Sequence, residues 1–204
     1  MGVRVPLLAP KFDTVNLGRP SPAQPSRSTL ILALYGGLAV LAIVIGAARG
    51  DADVYRLPHS TTTRLLVSPL IGVAIGLVIV FLSRLSVHRF EWARRLHRDF
   101  RGLLGNIGAR DALILAVASS VGEELFFRGA LLPWIGLVPS TIIFALLHIG
   151  PGTRFLPWTA TALLVGFGLG GLHLGLGDLG APIAAHFTVN YLNLGYIVRV
   201  ELPE

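Results

Sequence analysis

Cysteine is absent from the 204 residues, lysine occurs once, at Lys11, and Asp, Glu, Lys and Arg together make up only 14% of the chain. The lack of cysteine excludes disulfides, thiolate metal sites and a cysteine nucleophile, and it leaves the redox compartment unreadable. The scarcity of charge goes with 53% hydrophobic residues and a mean hydropathy of +0.70, which argues against a soluble domain and for a bilayer protein. A soluble chain of this size would break its apolar runs with charged helix faces, whereas several runs here approach the spanning length of about 20 residues. The net charge of +6 does not point to nucleic acid, because the arginines fall between apolar runs rather than on a stackable soluble surface with interleaved aromatics. No nucleic-acid partner is expected.

What is present reads as an all-α, polytopic transmembrane helix bundle of about six spans. Residues 1–28 are polar and rich in proline (Pro6, Pro10, Pro20, Pro22, Pro25), a composition that buries too little to order itself, and are expected to form a flexible cytoplasmic tail. The first long apolar run, 29–48, starts too late and runs too long for a signal peptide, so it is read as an uncleaved span 1. Span 2 runs over about 65–83 and completes an N-terminal hairpin (29–83); its Gly72-xxx-Gly76 spacing predicts a close helix neighbour. Residues 84–111 carry seven arginines among Leu85, Phe90, Trp92, Leu96, Phe100 and Leu103, the pattern of a basic amphipathic helix at the cytoplasmic membrane surface.

The remaining spans fall in a core over 112–198, followed by a tail at 199–204. Span 3 covers about 112–135, span 4 is a short run over 140–149 that could also be re-entrant or tilted, span 5 covers 156–174 and span 6 covers 181–198. Basic residues then place both chain ends in the cytoplasm. Gly166, Gly168 and Gly171 satisfy G-x-G-x-x-G inside an apolar run with no preceding strand, so helix packing is the expected role rather than nucleotide binding.

The chemistry concentrates in ionisable groups placed where a bilayer disfavours them. Glu123 and Glu124 lie about 16 Å into a hydrocarbon core about 30 Å thick, and Arg128 follows one turn later. Each such group costs about 2.5–3.5 kcal/mol at a span centre, so compensation is required. Glu124 and Arg128 share a helix face four residues apart, which predicts an ion pair and leaves Glu123 as the free carboxylate. Phe144 and His148 stand four apart in span 4, and His186 and Asn190 four apart in span 6. Together these side chains supply a carboxylate, two imidazoles and an amide, a set able to activate water and stabilise an oxyanion. Taken singly, His148, His186 and Asn190 also fit interhelical hydrogen bonding, and the acidic pair alone fits a proton or ion relay. His173 has no polar residue one turn away and is read as non-catalytic; His59, His88 and His97 lie in polar segments and are expected to be solvated.

Glu123-Glu124-Leu-Phe-Phe-Arg128-Gly129, then Phe144-xxx-His148, then His186-xxx-Asn190, in that order, resembles the CAAX protease and bacteriocin-processing family of glutamate-type intramembrane endopeptidases, over about 112–197. The resemblance implies that Glu123 and His148 activate water while His186 and Asn190 hold the oxyanion. Glu124 and Arg128 would be supporting residues and Phe144 a packing residue beside His148. It implies chemistry with neither metal nor other cofactor; no His-Glu-x-x-His motif occurs, although Glu123, His148 and His186 could in principle hold zinc. The expected partners are the lipid bilayer and a membrane-associated protein or peptide substrate, and the short, Arg-rich layout points to a prokaryotic cytoplasmic membrane. A non-proteolytic immunity or chaperone-like member of the fold, or a proton-coupled transporter, is the competing function.

Overall fold

Hydroxyl caps and glycines set where the helices begin and end. In the computed structural model, which describes residues 26–51, 53–105 and 107–202, Ser26 caps α1 (Arg27–Ala48) by accepting from Thr29 N, and Thr61 caps α2 (Thr62–Arg89) by accepting from Arg64 N. After Phe90 follow α3 (Glu91–Leu104) and α4 (Ala109–Glu124), which continues through a π-helical segment, Leu125–Leu131, into α5 (Leu132–Ile135). Gly136, at φ +90, reverses the chain into α6 (Leu137–Leu146), and a loop leads to α7 (Leu156–Leu176) and α8 (Gly180–Arg199). The protein is a helical membrane bundle. The expected tail over 1–28 lies almost wholly outside the described residues.

Among the described residues, three helices are long and apolar enough to cross a membrane: Arg27–Ala48, Thr62–Arg89 and Thr153–Leu176. A fourth arises only if Glu91–Leu104 and Ala109–Ile135, bent 106° apart, are taken as one span. The other three runs of the expected six do not pass that test. The two Glu and Arg128 lower the hydropathy of the third run, and His186, Asn190 and Asn193 that of α8. With 10 residues α6 is about 15 Å long, half the hydrocarbon thickness, which fits the short or re-entrant form of span 4.

The most extensive helix pairing is α2 on α8. A Cβ on Gly72 would run into the Ala181 backbone and one on Gly76 would lie 2.7 Å from Thr188 Cβ, so this pair of glycines makes the close approach their spacing predicts. Gly166 and Gly170 do the same on α7, against Thr141 and Phe144 and against Leu137 respectively. Gly168 and Gly171 have nothing within 4 Å, so the expected packing role holds for Gly166 alone of its three.

α8 is fastened at both ends. At its start, Asp178 Oδ1 accepts from Gly180 N at 2.7 Å and from Ser68 Oγ at 2.6 Å, and Ser68 Oγ accepts from Ala181 N at 2.7 Å. At its end, Arg101 of α3 donates to the carbonyls of Ile197 and Val198, and Arg84 of α2 donates to Leu192 O and Asn193 Oδ1. His97 joins them: it is 4% exposed, 2.9 Å from Val200 O and edge-on to Tyr196. The expectation that His97 is solvated is therefore corrected. α3 is amphipathic and turns its Ala93–His97 stripe inward. His59 and His88 are exposed, as expected. On the outer face of α3, Arg94, Arg95 and Arg98 surround Glu91 and hold its carboxyl down at about 2.

Candidate active site

The last turn of α4 is buried, with Glu123 8% and Glu124 0% exposed. Gly122 permits this, because a Cβ there would lie 2.5 Å from the Tyr35 carbonyl oxygen of α1. Immediately after Glu124 the helix widens into the π-helical segment, a rare form that recurs at functional sites. It carries Arg128 inward, 2% exposed, where Nη1 donates to Glu124 Oε1 at 3.0 Å and Nη2 donates to Gly166 O at 3.1 Å. The guanidinium carbon stands 4.4 Å over the Phe144 ring, so this cation is matched by a carboxylate, a carbonyl and an aromatic face.

His148 lies two residues beyond the end of α6, yet its ring turns back to the helix. Nδ1 is 2.7 Å from Phe144 O, and since a carbonyl only accepts, Nδ1 carries the proton and Nε2 is left free to face the site. The Phe144 ring lies 4.3 Å from the imidazole, Trp158 of α7 meets it edge-on at 5.2 Å, and Thr159 Oγ1 donates to His148 O at 2.8 Å. His186 on α8 follows the same logic: Nδ1 donates to Glu124 Oε1 at 2.7 Å, and Nε2 points the other way.

Both free nitrogens converge on one atom. Glu123 Oε2 stands 3.8 Å from His148 Nε2 and 3.9 Å from His186 Nε2, beyond direct hydrogen bonding and within the span that one bridging oxygen covers. Asn190, one turn after His186, donates from Nδ2 to Ser119 Oγ at 3.0 Å, and Ser119 is one turn before Glu123. Two facing helices thus present matched pairs, Ser119 and Glu123 on α4, Asn190 and His186 on α8. Among the described residues no group of three or more His, Asp or Glu is arranged to hold a metal ion.

The structure brings Glu123, Glu124, Arg128, Phe144, His148 and His186 into one cluster, with Asn190 joined through Ser119. The predicted Glu124–Arg128 pair forms, and Glu123 is the carboxylate set apart from it. His173 is buried on α7 and makes none of the cluster's ion pairs. Sequence reasoning missed Ser119, Thr159 and Trp158. Ser119 had a signal, being four residues before Glu123 on the same helix face; the other two become neighbours of His148 only through the loop that joins α6 to α7.

Residues 107–192 match the family model described as Type II CAAX prenyl endopeptidase Rce1-like. This segment is Rce1-like. It contains every residue of the cluster and of the three motifs, whereas α1 to α3 lie outside it. The chain is also 30% identical over 126 residues to the uncharacterized protein YpbD of Bacillus subtilis (strain 168), an alignment covering 58% of this chain and 63% of that relative. The chain thus spans less than two thirds of the length of the curated relative it matches. No solved structure gives a significant match. The Rce1-like segment and the apolar helices together point to an integral membrane protein, with the likeness to CAAX prenyl endopeptidases confined to residues 107–192.

Proposed function

We propose that the chain is an intramembrane, metal-independent endopeptidase of the glutamate type, cutting a peptide bond in a membrane-associated protein or peptide. The observation that carries this reading is the convergence of two imidazole Nε2 atoms, 3.8 and 3.9 Å away, on Glu123 Oε2, with both Nδ1 atoms already engaged. A water held between Glu123 and His148 gives its proton to the carboxylate while its oxygen attacks the carbonyl carbon. The protonated Glu123 then supplies the proton that the departing amine requires.

Charge develops on the former carbonyl oxygen, where His186 and Asn190 act. Asn190 uses one amide hydrogen on Ser119 and keeps the second for the oxyanion. His186, donating from Nδ1 to Glu124, can donate from Nε2 as well when it carries two protons, the oxyanion adding the counter-charge beyond the Glu124 carboxylate that already answers Arg128. Glu124 and Arg128 hold this half of the site in place. We place the protein in a prokaryotic cytoplasmic membrane with both ends in the cytoplasm, supported by the arginines of α3 and its flanks.

The test compares membrane peptides of cells carrying the parent chain with those of cells carrying Glu123→Gln. An uncleaved precursor should accumulate in the second. With that precursor as substrate, purified Glu123→Ala and His148→Ala should each insert normally and lose cleavage by at least about 10³-fold, and chelators should leave the parent's rate unchanged. Near-normal turnover by either variant removes that residue from the mechanism. Ion flux in vesicles that depends on Glu123, without any precursor, would favour a transporter instead.

A further inference from the structure

α1 lies outside the Rce1-like segment, and the proposed reaction assigns it no part. Between Leu30 and Ala48 its only polar side chain is Tyr35. The neighbouring Leu32 and Leu34 are 55% and 61% exposed and face outward, whereas Tyr35 is half-buried. The residue it packs on is Gly122: a Cβ there would lie 3.0 Å from Tyr35 Cβ as well as against its carbonyl oxygen. Gly122 directly precedes Glu123, so Tyr35 packs on the residue next to that carboxylate.

That carboxylate needs a donor. Oε2 of Glu123 and Oε2 of Glu124 are both buried with no hydrogen-bond partner among the described residues, but Glu124 is held through Oε1 by Arg128 and His186, whereas the imidazoles nearest Glu123 stand 3.8 and 3.9 Å away. An unpaired buried carboxylate is costly unless a donor steadies it. We propose that Tyr35 is a positioning residue of the site, donating its phenolic hydrogen to the Glu123 carboxylate and so keeping Oε2 turned toward His148 and His186. A phenol suits this role because it stays neutral at working pH. It steadies the anion without neutralising it, so Glu123 remains able to take a proton from water, which a guanidinium in the same place would oppose. The inference rests on the reading of Glu123 as the base, and it makes the N-terminal hairpin part of the catalytic unit.

The variant that isolates the hydroxyl is Tyr35→Phe in the full chain, which keeps the ring that packs on Gly122. In proteoliposomes, with a quenched fluorogenic peptide spanning the cleavage site found by the proteomic comparison, kcat should fall about 10-fold with KM within about twofold of the parent, the loss of one charge-assisted hydrogen bond. Thermal stability in detergent should fall only modestly, by about a few degrees, because the packing ring is kept and one donor is lost. The infrared carboxylate band obtained by subtracting a Glu123→Gln spectrum should shift in Tyr35→Phe, a signature that mere packing would not produce. An active parent whose Tyr35→Phe variant keeps the same kcat and the same carboxylate band overturns the inference alone. A parent that cleaves no precursor overturns the reading of Glu123 as base and the inference with it.

Discussion

Glu123 and Glu124 are consecutive residues of one type on one buried turn, and their surroundings are opposite. Glu124 has no exposure, and its Oε1 accepts from both Arg128 and His186. Glu123 keeps 8% exposure and presents Oε2 to two imidazole nitrogens at distances too long for direct bonds. A carboxylate held through one oxygen by a guanidinium and an imidazole is fixed in place and resists taking a proton. One whose oxygen faces nitrogens across a gap is placed to act on whatever enters that gap. The rotation of about 100° between successive helical residues is what separates the two roles.

The two environments separate most clearly when each carboxylate is neutralised in turn. Glu124→Gln leaves Arg128 buried at 2% exposure without its anion, and removing one partner of such a pair costs about 3–5 kcal/mol. That variant should lose thermal stability and activity together, and Arg128→Met should do the same. Glu123→Gln, which removes a carboxylate with no direct ion-pair partner, should lose activity while its melting in detergent stays within a few degrees of the parent. Equal destabilisation by the two Gln variants would erase the distinction drawn here.

A smaller effect is expected at the far edge of the cluster. Asn190→Ala removes an oxyanion donor and should lower kcat by about 10²-fold. Ser119→Ala removes only the group that orients it, and should lower kcat by about 10-fold. If Ser119→Ala costs as much as Asn190→Ala, the serine itself touches the reacting atoms, and steady-state kinetics on both variants decide this.

Much of this was readable from the sequence because it depends on local spacing. The apolar runs at 29–48 and 65–83 became Arg27–Ala48 and Thr62–Arg89, the second running past Arg64 and Arg84 because a charge at a membrane surface ends the apolar stretch without ending the helix. The four-residue spacings of Glu124 with Arg128, of Phe144 with His148 and of His186 with Asn190 each gave the right face. Other features depend on contacts between distant parts of the chain. The π-helical segment sets Arg128 against Gly166 O of α7 and the Phe144 ring of α6, contacts that its own sequence does not announce. Asp178 sits in a short Gly-rich turn and carries no motif, yet it fixes the start of α8 through Ser68, 110 residues earlier. His97 looked solvated because its neighbours in sequence are charged, whereas its neighbours in space are Val200 and Tyr196.

The mildest effect is expected at His97, which touches neither carboxylate and acts only on the helix whose His186 faces both. His186 bridges the two halves of the site from α8, and His97 helps to hold the far end of that helix. Burial pushes the His97 imidazole below its ordinary value of about 6.5, the bond to Val200 O works against that, and the cations Arg101, Arg84 and Arg98 add to the lowering. With the folded value below the unfolded one, the unfolded chain binds the extra proton first. Stability from this contact is therefore full above pH of about 6.5 and declines as pH falls below it. Hydrogen exchange of the amides near Tyr196 and Val200, corrected for intrinsic rates, should speed up between pH 7.5 and 5.5. His97→Gln, which can still donate to Val200 O and does not titrate, should abolish that dependence. An equal pH response in the variant would assign the loosening to the titration of another group.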